Sequence, residues 1–203
     1  MSGDHHHDQT HDHDDHHGHE HGHDDHHHHD DHHHHDDHDD HHHHDAESVG
    51  VAVVTVSSSR TLDSDPSGDY IAGAFEGADH EVVARELVPD DFEAIRGAVD
   101  DLIARSDVDA VVTTGGTGVT PDDVTPEAVS DLLGTELPGF GELFRTLSYE
   151  EVGTRTVGSR ATAGIADGVP VFCLPGSENA ARLGVEAIIL PEVGHLVGLA
   201  TRD

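Results

Sequence analysis

The sequence predicts an α/β domain built on a mostly parallel central sheet. Short apolar runs rich in β-branched residues recur along the body of the chain. Between them lie stretches whose apolar residues fall at helical spacing, and the connections are short and rich in Gly, Pro, Ser, Thr and Asp. Strands that read as continuous apolar runs are buried on both faces, which an alternating strand and helix order achieves.

The elements follow in order. "VGVAVVTV" (49–56) reads as the first buried strand. After the loop "SSSRTLDSDPSGDY", Ser67 or Asp69 is placed to cap a helix carrying Ile71, Ala74 and Phe75. "HEVVARELV" (80–88) is a second strand. "PDDFEAIRGAVDDLIARS" then places Phe92, Ile95, Val99, Leu102 and Ile103 on one helical face, with Asp90 as N-cap and Glu93 completing a capping box. "DAVVTT" (109–114) is a third strand, followed by a glycine loop. Thr125, Pro126 and Glu127 have N-cap, N1 and N2 chemistry for a further helix. Another helix includes residues 142–147. "VPVFCLP" (169–175) is a fourth strand, and Ser177 starts a last helix that Pro191 interrupts or kinks. Ligands of such sheets bind beyond the carboxyl ends of the strands. Those ends are Ser57, Thr114 and Pro175, and the site is expected there.

Composition excludes several classes of partner. The chain has nine Arg, no Lys and 43 acidic residues, 28 of them after Asp45. No basic stretch is present to meet nucleic acid or an anionic membrane, and no run in the sequence reads as a membrane span or secretory signal. The acidic, lysine-free surface reads as adaptation to high salt. A single cysteine, Cys173, fits a reducing cytoplasm and reads as buried and inert. Residues 1–45 are set apart by 23 of the 25 histidines and 15 acids. With almost no apolar residue, this tail is expected to be disordered. Residues 46–203 are expected to form one domain.

The glycine loop "TTGGTG" (113–118) carries the chemistry. Gly115, Gly116 and Gly118 let backbone N–H groups converge on an anion, and Thr114 and Thr117 add hydroxyl donors. Val119-Thr120 stands where a P-loop requires Lys and Ser or Thr, which excludes that class. Asp122 and Asp123 beside a phosphate site make sense if Mg²⁺ lies between carboxylate and phosphate. On spacing alone, the loop reads equally as a tight turn, Asp90 and Asp123 as helix-start acids, residues 58–60 as plain loop, and His195 as a packed or surface histidine.

Taken together, "TTGGTG" and "DVTPEA" (123–128), "ELPGFGELFRTLSYEEVG" (136–153), "SRATAG" (159–164), "FCLPGS" (172–177) and "ILPEVGHLV" (189–197) resemble the MoaB/MogA family of molybdenum-cofactor biosynthesis. "TVSSSRTLDSDPSGDYI" (55–71) resembles the opening of that family's domain. The resemblance implies a three-layer αβα molybdopterin-binding fold, a homotrimer or dimer of trimers, and adenylylation of molybdopterin by ATP with Mg²⁺ present and pyrophosphate released. A molybdenum-insertion enzyme is the implied partner. The family's two functional aspartates fall on Asp90 and Asp123, both expected to hold or orient Mg²⁺, and its nucleotide and phosphate loop on Thr114, Gly115, Gly116, Thr117 and Gly118. Its pterin side falls on Ser159, Arg160, Pro175, Gly176 and Ser177. This chain departs from the family pattern at Ser58, where Asp is usual, at Asp122, where Arg is usual, and at Asn179, where "PGSPKA" has lysine. Three functional classes stay open: an adenylyltransferase, a non-catalytic pterin or transition-metal carrier, and an insertion-type domain of the same fold.

In the tail, His26, His27, His28, His29, His32, His33, His34, His35, His41, His42, His43 and His44 stand among aspartates. Neutral imidazole binds Zn²⁺, Ni²⁺ and Cu²⁺, so reversible binding of several such ions is expected.

Overall fold

The computed structural model describes residues 45–202. Four strands run parallel: β1 (Gly50–Val56), β2 (Glu81–Val88), β3 (Ala110–Thr114) and β6 (Val169–Leu174). Two more, β4 (Thr135–Glu136) and β5 (Thr162–Ala166), add antiparallel at one edge, giving the order β2-β1-β3-β6-β5-β4. Helices α1 (Pro66–Glu76), α2 (Phe92–Ile103), α3 (Thr125–Ser130), α4 (Pro138–Val152), α5 (Glu178–Gly184) and α6 (Leu190–Ala200) connect the strands and cover both faces.

Side-chain alternation along the central strands explains the layers. Val51 and Val53 of β1, Val112 of β3, and Phe172 and Leu174 of β6 join one core with Ile71, Phe75, Phe140, Phe144, Val185 and Val193. Ala52, Val54, Val111, Val171 and Cys173 point the other way, into a second core with Ile95, Val99, Leu102, Ala128 and Val129. Successive residues of a strand face opposite sides, so a strand buried on both is apolar along most of its length. The fold is therefore the expected three-layer α/β arrangement.

Several local expectations are corrected. Asp65, rather than Ser67 or Asp69, caps α1: its carboxylate accepts from Gly68 N, and Pro66 occupies the first helical position. Asp91, rather than Asp90, caps α2 and accepts from Ala94 N at 3.0 Å, so Glu93 falls too early for a capping box. Asp91 has the extended backbone an N-cap needs. Thr125 lies inside α3, and its hydroxyl donates to Gly115 O instead of capping. The last helix is interrupted just before Pro191, as expected: α5 runs through a π-helical turn (Val185–Ile189) into α6. Glu178–Ala200 is thereby one helical run, long and apolar enough by composition to cross a bilayer. Here it packs on the sheet through Ala181, Val185, Ile189 and Val193, all fully buried. His195 pairs with Asp45 at 2.9 Å. The tail histidines, residues 26–44, lie outside the described residues.

Candidate functional site

At the carboxyl ends of β1, β3 and β6 a cleft of about 500 Å³ opens, lined by Ser57, Ser59, Arg60, residues 115–118, Asp123, Ser159 and Gly176 among others. Its floor is the glycine loop after β3. Gly115 (φ 112°) and Gly116 (φ 63°) adopt backbone that side chains resist. A Cβ on Gly115 would stand 2.2 Å from Val56 O, and one on Gly116 would stand 2.3 Å from Thr125 Oγ1. Glycine is thus required by both torsion and space. Gly115 N donates to Leu174 O, tying the loop to β6. The Thr117 hydroxyl is buried, lines the cleft and has no hydrogen-bond partner among the described residues.

The sequence-predicted residues divide into two groups. Gly115, Gly116, Thr117, Gly118, Asp123, Ser159, Pro175 and Gly176 all line the cleft. Thr114, Ser177, Arg160 and Asp90 sit behind or beside it. The Thr114 hydroxyl donates to Pro175 O at 3.1 Å, and Ser177 caps α5. Arg160 turns its guanidinium onto the glycine loop's outer side, donating to Gly118 O at 2.6 Å, to Asp123 O and to Glu127. Asp90 forms a two-way latch with Ser58: Ser58 N donates to Asp90 Oδ2 at 2.7 Å, and Asp90 N donates to Ser58 Oγ at 3.2 Å.

Asp123 is the carboxylate of the cleft. Burial pushes it upward, but hydrogen bonds from the Thr120 hydroxyl and amide and from the Gly118 amide, with the Arg160 charge, outweigh burial and hold it below its ordinary value. It is ionised at neutral pH and fit to meet a divalent cation that also touches phosphate. Among the described residues, no three His, Cys, Asp or Glu side chains gather as a protein-only metal cage. A cation here would therefore draw its remaining ligands from phosphate and water.

Arg60, read from the sequence as plain loop, is the cation of the cleft lining. Its Nη1 donates to Ser67 Oγ at 2.7 Å and its Nη2 to Gly176 O at 2.9 Å, bridging the loops after β1 and β6. No local pattern announces a partner 116 residues away. The "Asp65-Pro66" pair, a capping residue before proline, was the legible signal that this loop is anchored.

Comparison with known proteins identifies the family. The family model described as "Probable molybdopterin binding domain" matches residues 52–195. A protein of Halalkalibacterium halodurans named molybdenum cofactor biosynthesis protein B is 40% identical over 158 residues, spanning 77% of this chain and 93% of the relative. Its namesake from Bacillus cereus is 46% identical over 151 residues, spanning 74% and 89%. The crystal structure of the tungsten cofactor synthesizing protein MoaB from Pyrococcus furiosus superposes with a TM-score of 0.70 at 43% identity, covering 77% of this chain and 99% of that one. With its fold and most of its length shared in this way, the chain belongs to the MoaB/MogA family of molybdopterin-binding domains.

Proposed function

We propose that this chain works in molybdenum or tungsten cofactor biosynthesis by adenylylating molybdopterin with ATP. The observation that supports it most directly is the loop of residues 115–118, with the unpartnered Thr117 hydroxyl and ionised Asp123 in one cleft lining. A terminal phosphate oxygen of molybdopterin attacks the α-phosphorus of ATP in line. A new P–O bond forms, the bond from that phosphorus to the bridging oxygen breaks, and pyrophosphate leaves with the electron pair. The nucleophile is already anionic at neutral pH, so the chain needs no general base. Its work is positioning and charge stabilisation by fixed dipoles. Loop N–H groups, the Thr117 hydroxyl and the Arg60 guanidinium meet phosphate oxygens, while Asp123 would hold Mg²⁺. Held there, Mg²⁺ would supply neutralisation of phosphate charge. In this reading Asp90 fixes residues 57–60 through its latch to Ser58. The working unit is a cytoplasmic homotrimer or dimer of trimers that passes its product to a molybdenum-insertion enzyme.

The test is to mix the protein with molybdopterin, ATP and Mg²⁺ and look for adenylylated pterin and pyrophosphate. Asp123→Ala should abolish turnover while leaving the far-ultraviolet circular dichroism unchanged. Full activity in that variant would sink the metal assignment. Pterin binding without any product would favour a carrier over an enzyme.

The histidine-rich composition of residues 4–45 carries a second proposal, that this segment buffers Ni²⁺, Zn²⁺ or Cu²⁺. Binding should fall as pH drops through the imidazole range, because protons compete for the same nitrogens. Equal Ni²⁺ stoichiometry in the full chain and in one beginning at Ala46 would refute it.

A further inference from the structure

Asp65 is among the most deeply buried charged groups described. Its side chain is 0% exposed, and its carboxylate gathers partners from several elements. The Thr55 hydroxyl on β1 donates to Oδ2 at 2.5 Å, Gly68 N to Oδ1 at 3.1 Å, and the Ser67 hydroxyl to Oδ1 at 3.3 Å. Arg60 Nη1 and Arg85 Nη2 each stand 3.5 Å away. A Cβ on Gly68 would come within 2.0 Å of Oδ2, so the helix start is moulded around this group.

A helix cap requires only the bond to Gly68. It does not require burial, and it does not require two arginines. A buried carboxylate is costly unless paired and hydrogen-bonded, and this one is held by five groups. Two of them, Arg60 and Ser67, are joined to each other at 2.7 Å. Arg60, like Arg85, has many rotamers to lose, and of the five groups it alone lines the cleft. Its fork is fixed at Asp65, Ser67 and Gly176, which uses part of its five N–H groups and leaves others for a ligand. Arg85 also pairs with Asp69 at 2.8 Å and shares the charge of Asp65, so that charge is not spent on Arg60 alone.

We infer that Asp65 is a positioning residue that mounts Arg60 as the polyphosphate-binding cation of the cleft. The inference rests on the phosphate reading of that cleft and adds the group that gives it positive charge. The demand is acute in this chain, since Arg60 is the cation of the cleft lining and Asp123 shares that lining. Pre-organising the fork removes ordering cost from the binding step.

The test is calorimetric titration of inorganic pyrophosphate with Mg²⁺ into the full chain at one fixed salt concentration, with urea unfolding run in parallel. Arg60→Ala should weaken binding about tenfold or more, the range for a lost charge-assisted contact. Arg60→Lys should recover part of that. Asp65→Asn, matched in shape, should weaken binding by a similar factor, yet cause no further loss when Arg60 is already Ala. Thr55→Val removes one support of Asp65 and serves if Asp65→Asn does not fold; it should give a smaller loss that also vanishes in the Arg60→Ala background. The inference fails if Asp65→Asn lowers stability but leaves affinity within about twofold, or if its effect persists without Arg60. If Arg60→Ala binds as the parent does while Thr117→Val loses binding, the phosphate cleft stands and this inference alone is overturned. If the parent chain binds no pyrophosphate, both are overturned.

Discussion

Replacing Gly116 with alanine probes the loop that floors the cleft. Alanine at φ 63° costs about 1–2 kcal/mol from the left-handed backbone alone. The new Cβ would also stand 2.3 Å from Thr125 Oγ1, so that hydroxyl must swing away. Moving it breaks its 2.9 Å bond to Gly115 O in a buried setting, a further cost of about 1–3 kcal/mol. The whole substitution should therefore destabilise by about 2–5 kcal/mol. Thr125→Ala alone forfeits the same hydrogen bond and should cost about 1–3 kcal/mol. In the double variant the clashing oxygen is gone and its bond is counted once. The two costs should then fall short of additivity by about 1–3 kcal/mol. Urea unfolding at fixed protein and salt concentration measures all three differences. Strict additivity, or a Gly116→Ala cost below about 1 kcal/mol, would refute the packing argument.

Three more outcomes follow from the same geometry. Asp123 is held below its ordinary value of 3.8 by hydrogen bonds, so its ionised form stabilises the fold above that pH and the contribution is lost as pH falls through the lowered value. Asp123→Asn should be less stable than the parent at pH 7 and converge with it in acid; a gap that persists undiminished in acid contradicts the assignment. Cys173 is fully buried, and burial lifts its thiol to about 12, so it should ignore a thiol-reactive dye until urea unfolds the chain. Fast labelling of the native protein would show that the second core opens. Each body in the proposed trimer or larger assembly carries 28 acids against nine arginines, so light scattering should find the assembly at high salt and see it weaken as salt is withdrawn. A stable monomer at high salt would count against that assembly.

The sequence was most legible where one physical cause acts locally. β1, β3 and β6 announce themselves because strands buried on both faces read as near-continuous apolar runs, broken here only by threonines. β5, "TAGIA", was missed because close packing against Leu133 and Thr135 asks Gly164 to be small, which erases the β-branched signature. β4 has two residues and no pattern to read. The caps slipped by one or more residues at "PDD" and "DSDPSGD", because adjacent acids share the same chemistry and only backbone torsion decides between them. In the cleft, the glycine loop and Asp123 were visible in the chain's own chemistry. Arg60 was not, since its role depends on Ser67, Gly176 and a buried Asp65 that only folding assembles.

The clasp from Arg60 to Gly176 has a thermodynamic consequence. It joins two loops 116 residues apart, so no fragment lacking either loop can present the complete cleft. A ligand held across it binds only the globally folded protein, and linkage spreads its binding energy over the whole domain. Each tenfold excess of ligand over Kd should then add about 1.4 kcal/mol to global unfolding. Amide hydrogens on β1 and β3 that exchange only through global unfolding should slow by the same factor of ten, although many of them never touch the ligand.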